Sequence, residues 1–226
     1  MRSVADKMKS IKHIVWDWNG TLFDDASACV ETLNVFLKER SLPKVNIVQY
    51  REHFGFPVKK YYEFLGFDFS AEDWDVMARR FHDLYLEKSR RKKLRSGAIA
   101  VLRALKKQNM PMSVLSASEV SLLGKFLRAK GIRQYFENIY GLTDLYADSK
   151  LTAGRKLILL LSVPPSEILL VGDTVHDYEI AKKTGCRCVL LANGHQAEHR
   201  IRKCGCPLLT DIKFLPGFIK NNCEQL

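Results

Sequence analysis

No apolar run in this 226-residue chain approaches the ~20 residues that a helix needs to cross a bilayer. The longest, such as Leu157–Leu161 and Ile168–Val171, are the size of core strands or single helical turns. The segment Met1–Lys9 lacks the apolar stretch of a secretory signal, so a cytoplasmic protein is expected. The six cysteines lack metal-knuckle spacing: Cys186-Arg-Cys188 and Cys204-Gly-Cys206 have one intervening residue each, and the first pair lies in a strand-like run. A chain this long can bury a sufficient core without disulfides, so the cysteines read as ordinary thiols. Internal repeats and low-complexity segments are also missing.

What is abundant is positive charge, a formal +11. That excess favours anionic ligands without choosing among metabolites, nucleic acids and membranes. Its densest cluster, Lys88-Ser-Arg-Arg-Lys-Lys-Leu-Arg95, has no interleaved aromatic residues and continues a helical pattern, so a solvated helix end is expected there and a nucleic-acid partner is not.

The run Ile11–Trp16 is short, apolar and β-branched, and it stops at Asp17 ahead of the turn-forming Asn19-Gly20 pair. That pattern predicts a buried strand delivering Asp17 to its carboxyl end. Similar runs predict strands at Ser113–Leu115, Asn138–Tyr140, Ile168–Val171 and Cys188–Leu191. Helical spacing recurs between them, as in Ile99, Leu102 and Leu105, or Val120, Leu123 and Leu127. Alternation of this kind predicts an α/β, Rossmann-like parallel sheet covered by helices on both faces, with ligands at the carboxyl ends of the strands.

Residues 25–93 read differently, as helices with no strand between them. Ala26 to Leu37 mark one helix, Pro57 suits the first turn of a second that runs to Gly66, and Ser70-Ala-Glu-Asp73 resembles a capping box before a third at Trp74. The expected organisation is therefore an N-terminal extension (1–10), a catalytic core (11–24 and 94–226) and an inserted all-helical cap domain (25–93).

Four features then fall at strand or helix ends: Asp17-Trp-Asn-Gly-Thr21, Ser116, Lys150, and Gly172-Asp173-Thr-Val-His-Asp177. In order and context they resemble the haloacid dehalogenase superfamily, specifically its phosphatases with a helical cap. Phe54-Gly-Phe-Pro-Val58 and Ala192-Asn-Gly-His-Gln196 are similar to phosphoglycolate-phosphatase-like members.

The resemblance implies a phosphatase of small phosphorylated metabolites in which Asp17 attacks phosphorus and forms an aspartyl phosphate. It implies Mg2+ held by Asp17, Asp173 and the backbone carbonyl of Asn19, with Asp177 behind them or as an alternate ligand. Ser116 would donate to the phosphoryl group and Lys150 would offset its charge, beside Gly20, Thr21 and Ala117. Specificity would belong to the cap, where His53, Phe56, Lys59 and Lys60 are candidates to face the substrate.

One position departs from the pattern. Family phosphatases carry a second aspartate, the acid and base for the leaving group, where this chain has Asn19. An amide cannot exchange a proton near neutral pH, and general acid–base help is commonly worth about 10²–10⁴-fold. Three explanations stay open: proton transfer handled by His176, His53, substrate or water; a phosphonoacetaldehyde-hydrolase-like enzyme that breaks a C–P bond through an imine on Lys59 or Lys60; or a catalytically weak member that binds a ligand or partner.

Overall fold

The computed structural model describes residues 10–142 and 150–223, so the expected extension lies almost entirely outside the described residues. The chain runs β1 (His13–Trp16), α1 (Ala26–Glu39), α2 (Ile47–His53), α3 (Val58–Phe64), α4 (Trp74–Ser89), α5 (Ala98–Lys107), β2 (Met112–Glu119), α6 (Val120–Ala129), β3 (Asn138–Leu142), α7 (Lys150–Leu161), β4 (Ile168–Gly172), α8 (Val175–Thr184), β5 (Arg187–Leu191), α9 (Glu198–Arg202), β6 (Leu208–Leu209) and α10 (Leu215–Cys223). The strands form one sheet in the order β3-β2-β1-β4-β5-β6 with every pairing parallel. This is the α/β, Rossmann-like architecture that the alternating pattern predicts.

Period-two alternation feeds two separate cores. Ile14 and Trp16 of β1, Met112 and Val114 of β2, and Leu169 and Val171 of β4 join one cluster with Leu102 and Leu127. The intervening Val15, Leu115, Ile168 and Leu170 point to the opposite face and pack with Leu157 and Ile180. Both faces of the central strands are therefore dry, and burial of each such side chain contributes about 1.5–3 kcal/mol.

Helices α1–α4 fall between β1 and β2 and build a third cluster of their own around Leu33, Phe36, Tyr50, Tyr62 and Met77. Three local expectations change here. Asp73, not Ser70, caps α4 by accepting from the amides of Asp75 and Val76, while Ser70 turns back to Asp68. Pro57 is the cap of α3 and not part of its first turn. The basic segment does not continue the helix: α4 stops at Ser89, and the chain returns to the sheet so that Arg95 is largely buried and donates to the carbonyls of Ala192 and Gly20. The Gly20 carbonyl, in the turn after β1, and the Ala192 carbonyl, after β5, draw that guanidinium inward. No helix among the described residues is long and apolar enough to cross a membrane.

Candidate active site

The neighbouring strands β1 and β4 deliver Asp17 and Asp173 side by side. Asp17 follows β1 directly, its amide donating to Val171 at 2.8 Å. Its carboxylate lies 2.5 Å from Lys150 Nζ, and the same ammonium lies 2.6 Å from Asp177. Lys150 opens α7, and Asp177 sits in the first turn of α8 within a reciprocal capping box with Thr174. One oxygen each of Asp17, Asp173 and Asp177 lie within 4.8 Å of one another.

Asp173 accepts from Thr21 Oγ1 at 2.7 Å and from the His195 amide at 2.7 Å. Two glycines make this packing possible. A Cβ on Gly20, whose φ is +75°, or on Gly194 would collide with the Asp173 carboxylate.

Burial governs the ionisation of this group. It raises Asp17 well above the usual carboxylate range; Lys150 opposes the shift, and Asp177 and Asp173 reinforce it. Asp173 is raised by burial as well, with His195 opposing and Asp177 adding to it. Asp177 ends lower than usual, because the Lys150 charge and the bonds from Lys150 and Thr174 outweigh its burial. Lys150 is pushed upward: burial would lower it, but Asp17 and Asp177 prevail.

A second polar cluster adjoins the first, and the sequence motifs do not announce it. Asp25, fully buried before α1, accepts from the Gly20 amide at 2.8 Å, Asn19 Nδ2 at 2.8 Å and the Tyr85 hydroxyl at 2.6 Å. His195 Nε2 lies 3.3 Å from Asp25, and its Nδ1 lies 2.8 Å from the Tyr50 hydroxyl. Burial alone would lower the imidazole; the Asp25 carboxylate overrides that and pushes it up to about 9, with Asp173 and Asp17 adding to the effect. Burial raises Asp25, but His195 and the donated hydrogen bonds leave it below its ordinary value. Asp25 was visible as the second member of Asp24-Asp25, and His195 within Ala192-Asn-Gly-His-Gln196, but neither segment states its partner.

Asn19 is fully committed. An ionised carboxylate only accepts, so the amide NH2 must face Asp25; it also reaches Tyr85 at 2.9 Å. The Asn19 carbonyl oxygen accepts from Ser118 Oγ at 2.8 Å and from Ser116 Oγ at 3.4 Å. Ser116 does not end its strand: β2 continues to Glu119, with its pairing shifted after Leu115. Ser116 is buried and takes the Ser118 amide.

A cavity of about 370 Å³ opens from Asp17, Asn19, Ala117, Lys150 and Asp177 into the space between α1–α4. Lys59 lines its rim but is exposed, its ammonium 5.3 Å from the Phe69 ring centre. Lys60 is exposed, and His53 is exposed against Phe64 and does not line the cavity. His176 stacks on Phe56 with its Nε2 buried and unpaired; it too stands outside the lining. The positions from strand ends thus converge, and those nominated from residues 53 to 60 do so only in part.

Fold and site together define an α/β protein whose polar centre lies at the carboxyl ends of parallel strands. The model of the haloacid dehalogenase-like hydrolase family matches residues 14–191, and the chain belongs to that family. A phosphoglycolate phosphatase of Yersinia pseudotuberculosis is 25% identical over 196 residues, 84% of each chain. A Caldanaerobacter subterraneus protein bearing a pyrophosphatase name is 27% identical over 183 residues, 79% of this chain and 80% of that one. Among solved structures, a haloacid dehalogenase-like protein of Agrobacterium tumefaciens superposes with a TM-score of 0.80 at 22% identity, covering 95% of this chain and all of the other.

Proposed function

We propose that this hydrolase is a magnesium-dependent phosphatase of small phosphorylated metabolites, and that α1–α4 act as its cap. The observation that carries the reading is Asp17, held at the end of β1 against Lys150 and facing Asp173 from the adjacent strand. Phosphatase names among the relatives agree with it.

The donor set fits a hard divalent cation. Four buried carboxylates, Asp17, Asp25, Asp173 and Asp177, share two cationic partners at contact distance, Lys150 and His195, so the group is rich in anionic oxygen donors. Burial is the main cause that raises Asp17 and Asp173, and the neighbouring Asp177 carboxylate adds to it in both. Asp17, Asp173 and the backbone carbonyl of Asn19 would hold the ion, while Asp177, already engaged by Lys150 and Thr174, would fix Lys150. A bound magnesium ion would neutralise phosphate oxygens and hold Asp17 in its ionised form.

On this reading an Asp17 oxygen attacks phosphorus and the P–O bond to the alcohol breaks, the leaving oxygen taking a proton from water; a second water then cleaves the aspartyl phosphate to regenerate the carboxylate and returns that proton to solvent. Lys150 offsets charge on the phosphoryl group. Asn19 takes no proton, because both ends of its amide are held in the loop. Lys59 and Lys60 are exposed, so the imine-forming alternative lacks the desolvated amine it requires.

The test is phosphate release from a panel that includes phosphoglycolate, with and without magnesium, against Asp17→Asn. Loss of at least about 10³-fold in the variant is expected; equal traces for the two proteins would overturn the reading.

A further inference from the structure

The part of the cavity formed by the helices is chemically unlike the part at the sheet. Phe54, Phe56, Tyr61, Trp74, Met77 and Phe81 wall it, and among the described residues the lining groups able to carry positive charge are Lys59, His82, Lys150 and His195. Lys150 is taken by Asp17 and Asp177, and His195 by Asp25. Burial lowers His82 below its ordinary value, with Asp83 and Glu119 opposing, so it is uncharged near neutral pH. Lys59, at the exposed rim, holds its ammonium 5.3 Å from the Phe69 ring centre. A carboxylate placed among these rings would lose its water and gain no counter-charge.

One polar atom there has no partner. Tyr61 is 5% exposed, and its hydroxyl makes no hydrogen bond. The neighbouring hydroxyls of Tyr50 and Tyr85 are committed to His195 and Asp25. A buried hydroxyl left unpaired is costly, and Tyr61 is one of the residues that line the cavity.

We propose that the substrate is a phosphate monoester whose organic group is apolar and several carbons long, with a neutral oxygen that accepts from Tyr61 in place of a second anionic group. This rests on the phosphatase reading for the phosphate end and deepens it. The apolar walls take the chain, and phosphoglycolate, with its carboxylate one carbon from the ester oxygen, matches them poorly.

Non-hydrolysable phosphonates separate the two ideas. Calorimetry with magnesium present, on propyl-, butyl-, pentyl- and heptylphosphonate, should show Kd falling about fourfold per methylene, the ratio that corresponds to the ~0.8 kcal/mol of a buried CH2. The isostere of phosphoglycolate, 3-phosphonopropionate, should bind more weakly than butylphosphonate. In Tyr61→Phe the preference for 5-hydroxypentylphosphonate over pentylphosphonate should drop about fivefold, the loss of one hydrogen bond. A flat series, or tighter binding of 3-phosphonopropionate, overturns the proposal. A graded series alongside no release of phosphate from the matching alkyl phosphates supports the pocket and overturns the phosphatase reading alone.

Discussion

Restoring the aspartate that this family ordinarily has at position 19 should damage the protein unless Asp25 is changed with it. In Asn19→Asp the NH2 that now faces Asp25 at 2.8 Å becomes a carboxylate oxygen. Two unit charges at that separation repel by about 6 kcal/mol at an effective dielectric constant near 20. The protein has a cheaper course, which is to protonate the newcomer. From the ordinary aspartate pKa of about 3.9, that costs about 4 kcal/mol at pH 7 and about 1.5 kcal/mol at pH 5. Asn19→Asp should therefore be destabilised by about 4 kcal/mol at pH 7, with the deficit shrinking by about 1.4 kcal/mol per unit as the pH falls. Asn19→Asp combined with Asp25→Asn moves the carboxylate without doubling it and should recover most of the loss. Urea unfolding of the four proteins at pH 5 and 7 gives the coupling energy directly. A single variant as stable as wild type at pH 7, or a double variant with no recovery, would refute the account of Asn19 and Asp25. If position 19 is where acid–base help is missing, the double variant should also hydrolyse alkyl phosphates up to about 10²-fold faster.

Asp17→Asn should stabilise the metal-free protein at pH 7: burial holds the folded carboxyl above its unfolded value, so the ionised form weakens the fold, and the variant removes that penalty. Thermal melts in chelator read the sign. The Asp25–His195 pair stabilises the fold instead, and that contribution also fades as the pH rises. His195, raised to about 9, contributes stability that is complete below about 6.5 and is lost as pH rises through about 9. Asp25, held low chiefly by His195 against its own burial, contributes above about 3.8 and loses that contribution as the pH falls below it. His195→Gln should flatten the alkaline fall in stability. Arg95→Met should cost about 3 kcal/mol through two lost charge-assisted bonds to buried carbonyls, and Lys92→Met, whose ion pair with Glu31 is partly exposed, under about 1 kcal/mol. Denaturant midpoints compare them.

The sheet was readable because its strands are short apolar runs buried on both faces, ending where turn residues begin. The two-residue β6 carries too little pattern to stand out, and α2 is a seven-residue helix whose single buried position, Tyr50, gives no period. The strand-end residues Asp17, Asp173 and Asp177 were legible because topology places them together. Asp25 and His195, 170 positions apart, were not: their function arises from a contact that α1 and the loop after β5 make only when folded. Lys59 lines the cavity at its rim, but sequence could not state that its ammonium also lies over the Phe69 ring, because that contact forms only when α3 folds against the following turn.

The Asp25 carboxylate also explains why Asn19 is tolerated. It gathers the Gly20 amide, the Asn19 amide, Tyr85 from α4 and His195 from the loop after β5, and Tyr50 of α2 closes the chain of contacts beyond His195. A single buried charge thus ties the turn carrying Asp17 to two helices of the insertion. A neutral donor at position 19 is what that charge requires, because a second carboxylate would break the tie. The substitution that removes the expected proton carrier is, on this geometry, the one that lets the cavity walls be held over Asp17.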